Sequence, residues 1–325
     1  MPAVRCGVTA ANLLQYARFG LGASLRAFAW FFGLTLFALA VMALAGYPAW
    51  VLLHPHFDFA FHRIASRIAI VAAAAGLVFI ARRLGLNDRA SFGYGLPWRR
   101  FVREWLLGLA FGVAAMALIA ALMAALGLRT LKPGLAIEPA LLAHLLLLGF
   151  LRGTAVALLE ETCMRGAMFT AISRESGARA AVLLTALLFA ATHFIGRYHI
   201  DAQAVTPYSG LELLGGTLQD FAHPAAIADA FACFFALGVV LGVVRALTGN
   251  IAACIGLHAG SVWVITFVSE TTLTNSSSPL AFLVSHFHEV GDGIVGWLVF
   301  AWIILVGAVL CVFYARRRAI PRSVG

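Results

Sequence analysis

The chain has 325 residues, 62% hydrophobic and 11% charged, with a mean hydropathy of +0.94. A soluble domain carries roughly 25% charged residues, so this composition excludes a soluble globular fold and points to a polytopic membrane protein. The net charge of +9 is almost all arginine, gathered in short loops and at the ends of apolar runs. That pattern suits membrane orientation and anionic headgroups and argues against a nucleic-acid-binding surface.

Residues 1–26 read as a basic surface arm. The first apolar run follows Arg5, Arg18 and Arg26 and is too long for a signal-peptide core, so it is expected to be retained as a span over 27–46. A short loop with His54, Pro55, His56 and Asp58 leads to a second span over 64–81. Arg82, Arg83, Arg89, Arg99, Arg100 and Arg103 crowd the next loop and mark it as cytoplasmic. Residues 105–128 contain no charged residue and form a third span. The apolar region from Pro139 to Ile172 is too long for one perpendicular crossing of a ~30 Å core. A crossing over about 152–172 puts Glu160 and Glu161 mid-membrane, with 139–151 as a kinked or re-entrant extension hinged at Gly149 or Gly153. Further spans are expected over 180–195, 230–247, 251–268 and 294–314. The acidic loop 196–227 is expected outside, and the last span is closed by Arg316, Arg317 and Arg318. The sum is an all-α polytopic transmembrane helix bundle of about eight spans, a single domain over 27–325, with both termini cytoplasmic. Arg129 and Lys132, in a loop placed outside, run against the charge bias.

The chemistry gathers around Glu160-Glu161-Thr162-Cys163-Met164-Arg165. Two carboxylates and an arginine inside an apolar segment are costly, so they default to a functional reading. Folding the chain back at Ser176-Gly177 sets Glu161 level with His193 on the next helix, at 1.5 Å per residue. His258, in Gly256-Leu257-His258-Ala259-Gly260, falls at a similar depth on a later span. A buried carboxylate beside an imidazole can hold and deprotonate a water, and a second imidazole can serve a developing oxyanion or a metal. Arg165, at i+4 from Glu161, is its expected partner, which leaves Glu160 for chemistry. A glutamate–arginine pair is also ordinary glue in membrane bundles, and a lone histidine in a span is more often a packing residue. The level placement of all three positions weighs against coincidence. His144 reads as structural, and His286-Phe287-His288-Glu289 with Asp292 as a solvated loop. The five cysteines, Cys6, Cys163, Cys233, Cys254 and Cys311, show no paired spacing and read as small core hydrophobes.

Glu160-Glu161-x-x-x-Arg165, then Phe189-x-x-x-His193, then His258 in its glycine-flanked setting, resembles the CPBP family of intramembrane proteases, which includes the CAAX prenyl endopeptidases and many bacterial homologues. The resemblance covers about residues 85–268. It implies an intramembrane endopeptidase in a bacterial cytoplasmic membrane, acting on a peptide or protein substrate in the bilayer. In its terms Glu160 is the principal base, His193 its partner, Glu161 and Arg165 the supporting pair, and His258 the oxyanion or ligand residue. Family members are called metalloproteases, and a divalent metal such as zinc would take Glu160, His193 and His258; a metal-free glutamate site stays equally open. Where the family's third motif has an asparagine four residues after the histidine, this chain has Val262, with Ser261 as a substitute donor. Two other classes remain: a non-catalytic member acting as scaffold or in bacteriocin self-immunity, and a proton-coupled transporter. The transporter is disfavoured because no inverted repeat is visible.

Overall fold

The computed structural model describes residues 25–195, 198–285 and 294–319. Nearly all of the expected surface arm, the His286–Asp292 cluster and the end of the basic tail lie outside the described residues. The helices are α1 (Arg26–Leu53), α2 (Phe61–Arg83), α3 (Trp98–Ala125), α4 (Pro139–Glu161), α5 (Phe169–Thr192), α6 (Ser209–Ala222), α7 (Pro224–Thr248), α8 (Ala252–Thr271) and α9 (Trp297–Ala319). A π-helical segment, Thr162–Met168, joins α4 to α5 without a loop. Among the described residues seven helical stretches are long and apolar enough to cross a membrane, one of them the 54-residue run Pro139–Thr192. At 1.5 Å per residue that run would span about 80 Å, far more than a ~30 Å core. It is broken at Gly177, whose φ of 84° and ψ of 165° lie outside the helical region. Counting its two arms separately gives the eight expected spans.

The fold-back at Gly177 can be read from the side chains. The Arg165 guanidinium lies over the Phe189 ring at 4.4 Å, and the two residues are equidistant from Gly177 along the chain. The expected hinge at Gly149 or Gly153 does not form. Helix α4 is continuous through both, and residues 139–151 are its first turns, not a re-entrant piece. Those glycines act through their size: a Cβ on Gly149 would meet Trp263, and one on Gly153 the Ala259 carbonyl.

That contact belongs to a pattern repeated on four helices. Gly108 and Gly112 of α3 face the Ala253 and Leu257 carbonyls of α8, while Gly256 and Gly260 of α8 face the Trp105 and Leu109 carbonyls of α3. Gly238 and Gly242 of α7 lie against Ala186 and Val182 of α5. Lipid tails are as apolar as leucine, so helices in a bilayer associate by close packing, and glycines four apart let backbones touch. Helix α8 is thus held between α3 and α4, with α7 drawn onto α5.

Two ends of the bundle are distinct. Arg317 donates bidentately to Glu104 at 2.8 and 2.9 Å, so the last helix ends beside the start of α3 and the two basic regions share one side. At the other end β1 (Arg129–Leu131) pairs antiparallel with β2 (Thr272–Thr274). Arg129, 3% exposed, donates to the Thr272 and Thr274 hydroxyls and the Thr272 carbonyl. Its donors are used inside this two-strand pairing, which explains its departure from the charge bias. The acidic stretch is also more ordered than expected over residues 198–227. It holds α6, whose Leu213 is fully buried beside Met42, Phe61 and Ala65, and whose Gly210 abuts the Ala43 carbonyl.

Candidate active site

The close approach of α8 to α4 sets the first half of the site. Glu161 Oε1 accepts from Arg165 Nη1 at 3.1 Å and from His258 Nδ1 at 3.0 Å. Glu161 and Arg165 are fully buried and His258 is 3% exposed. Arg165 Nη2 donates to the Gly238 carbonyl at 3.2 Å, a bond made possible by the glycine contact that draws α7 inward. The π segment contributes as well. Phe169 N–H reaches back five residues to the Met164 carbonyl, and the Arg165 carbonyl accepts from Arg245 Nε at 2.9 Å. π-Segments inside α-helices recur at functional sites because they re-aim side chains and release backbone acceptors. Glu161 Oε2 and Arg165 Nε are buried without a hydrogen-bond partner among the described residues.

Glu160 points elsewhere. Adjacent residues on a helix diverge by about 100°, and Glu160 lines a cavity of about 520 Å³ that Glu161 does not reach. The walls come from α1 and α2, including Leu34, Met42 and Ala73, with Glu160, Cys163, Thr192 and His193 as the polar end. One oxygen of Glu160 is buried without a partner among the described residues. His193 Nδ1 lies 2.7 Å from the Phe189 carbonyl. A carbonyl only accepts, so Nδ1 carries a proton. Phe234 stacks on the His193 ring at 4.1 Å, and Phe189 stands between the two histidines, 4.4 Å from His193 and 5.8 Å from His258.

The five sequence-predicted residues therefore converge but divide. Glu161, Arg165 and His258 form one sealed network; Glu160 and His193 face the cavity. Ser261 does not stand in for the missing asparagine, because its hydroxyl donates to the Leu257 carbonyl at 2.9 Å and it lines a separate apolar space. His144 is exposed on α4. Among the described residues no three of His, Cys, Asp and Glu gather closely enough to hold a metal ion, so the Glu160–His193–His258 set does not fit one as it stands. Sequence reasoning missed two participants, Arg245 and Tyr94, whose hydroxyl lies 2.6 Å from Thr162 Oγ1 beside Glu161. The signal for Arg245 was its own cost, a lone arginine inside a long apolar run. The signal for the helix contacts was the Gly-x-x-x-Gly spacing on α3, α4, α7 and α8.

Fold and site together define an all-α polytopic bundle built around a buried glutamate–arginine–histidine network. A family model described as type II CAAX prenyl endopeptidase Rce1-like matches residues 142–264. The matched stretch contains Glu160, Glu161, Arg165, His193 and His258, and it bears out the resemblance to the CPBP family: over these residues the chain is similar to the membrane proteins of the CAAX-protease type. No curated protein and no solved structure matches it.

Proposed function

We propose that this chain is an intramembrane endopeptidase that hydrolyses a peptide bond with a water activated by Glu160. The observation carrying the proposal is the separation of the two glutamates, one sealed against Arg165 and His258, the other at the polar end of an apolar cavity beside His193. Glu160 removes a proton from water, the hydroxide attacks the scissile carbonyl carbon, and the C–N bond breaks as the proton passes to the leaving amine. His193, held by its Nδ1 bond to the Phe189 carbonyl, orients that water. His258 has its Nδ1 proton committed to Glu161, so it can donate to an oxyanion only as the imidazolium, through Nε2. A substrate segment reaches Glu160 between α1 and α2, and the basic end of the bundle faces the cytoplasm.

A second reading is favoured by one observation. With Val262 in place of an asparagine and the Ser261 hydroxyl bonded to its own helix, neither of these two positions offers a free donor. A non-catalytic member of the family would tolerate that loss. The two readings separate in a cleavage assay of the purified protein in liposomes with a library of membrane-derived peptides, prenylated and unprenylated. Wild-type cleavage that disappears in Glu160→Ala supports the protease. Identical peptide profiles for the two proteins support the non-catalytic reading.

A further inference from the structure

A second cavity, of about 650 Å³, lies on the opposite flank of α4, between that helix and α3 at the arginine-rich end of the bundle. Its size falls within the ~300–1,000 Å³ of small-molecule sites. Its wall is a run of aromatic rings: Tyr94 on Phe101 with centroids 5.6 Å apart, Phe101 on Trp98 at 6.3 Å, then Trp105. Arg89 stands at the mouth, exposed and without a carboxylate partner among the described residues. Deeper in, Thr154 Oγ1 is buried without a hydrogen-bond partner among them. No acidic side chain lines this space, in contrast to the cavity that ends on Glu160.

We infer that this groove is a binding site for one anionic glycerophospholipid of the surrounding bilayer. The acyl chain lies along the aromatic wall, the Thr154 hydroxyl donates to an ester carbonyl of the lipid, and Arg89 pairs with the phosphate. Three features favour this occupant. The groove is apolar where a chain would lie, and tryptophan and tyrosine line it at the bundle end where such rings sit at headgroup level. Its one charged lining residue is a cation, set among Arg99, Arg100 and Arg103, and guanidinium recognises phosphate as a planar fork. The unpartnered hydroxyl needs an acceptor that no described residue supplies. The groove contains none of the five candidate site residues, although Tyr94 in its wall also meets Thr162 beside Glu161.

Trp98 and Trp105 make the test direct, because bromine on an acyl chain quenches tryptophan at close range. The protein is reconstituted with brominated phosphatidylglycerol or brominated phosphatidylcholine as the minor lipid. The groove signal is the difference between wild type and Trp98→Phe/Trp105→Phe. That signal is expected to titrate with phosphatidylglycerol at about fivefold lower mole fraction than with phosphatidylcholine, the weight of one basic side chain at an anionic surface. Arg89→Gln is expected to abolish the preference, while Arg100→Gln, an arginine outside the groove lining, leaves it. Arg89→Glu, which reverses the charge, is expected to favour phosphatidylcholine and guards against a folding defect peculiar to one variant. Equal titration by both lipids, an unchanged preference in both Arg89 variants, or quenching by neither lipid overturns the inference.

Discussion

The two sides of α4 are packed by different rules. On one side α8 is gripped backbone to backbone by glycines of α3 and α4, and 67% of its most apolar window is buried. On the other, a cavity of about 520 Å³ opens between α4 and the α1–α2 pair. The tight side buries a charged network of Glu161, Arg165 and His258. The loose side leaves Glu160 facing open space. Two neighbouring glutamates acquire different surroundings because the helices facing them differ in the size of their contact residues.

The largest expected effect comes from breaking the tight side's charge pair. Arg165→Met leaves Glu161 buried beside His258 alone, a loss of about 3–5 kcal/mol, to be read as lower folded yield and melting temperature. Next, Gly260→Leu forces a side chain against the Leu109 carbonyl, and overpacking of this kind costs about 1–3 kcal/mol. Gly33→Ala on α1, where a Cβ meets nothing within 4 Å, is the matched control and should be neutral. A melting temperature that falls equally in both would remove the distinction between the two sides. Smaller again is Glu104→Gln, which removes the bidentate tie to a partly exposed Arg317 and should cost about 1 kcal/mol. The smallest is Ser261→Ala: the hydroxyl bonds only within its own helix, so stability should stay within about 0.5 kcal/mol and any cleavage rate should be unchanged. A loss of rate there would return Ser261 to the role of oxyanion donor.

The spans were legible because charge-free runs such as 105–128 leave no alternative in a bilayer, and the candidate site stood out because charge in such a run is costly. The fold-back at Ser176-Gly177 placed Arg165 opposite Phe189 for the same reason that it levelled Glu161 with His193. What did not show in the sequence depends on contact between chain segments. Gly149 and Gly153 signal a hinge or a close approach with the same letters, and only the presence of α8 decides between them. Ser261 lies beside the motif position, but a helical serine prefers its own backbone carbonyl. Arg129 looked like a topological signal because its threonine partners lie far along the chain, on β2. The order over residues 198–227 was hidden because α6 gains its stability from burying Leu213 against α1 and α2, not from its own composition.

The central claim is the division of labour between Glu160 and Glu161, and the most direct measurement compares Glu160→Gln with Glu161→Gln for folded yield, melting temperature and peptide turnover. Glu160→Gln is expected to melt within about 1 kcal/mol of wild type while losing turnover, because it alters a cavity-facing base without stranding a charge. Glu161→Gln is expected to lose folded protein, because Arg165 is left as a buried charge without its carboxylate. Full turnover in Glu160→Gln, together with lost turnover and unchanged stability in Glu161→Gln, would contradict the account.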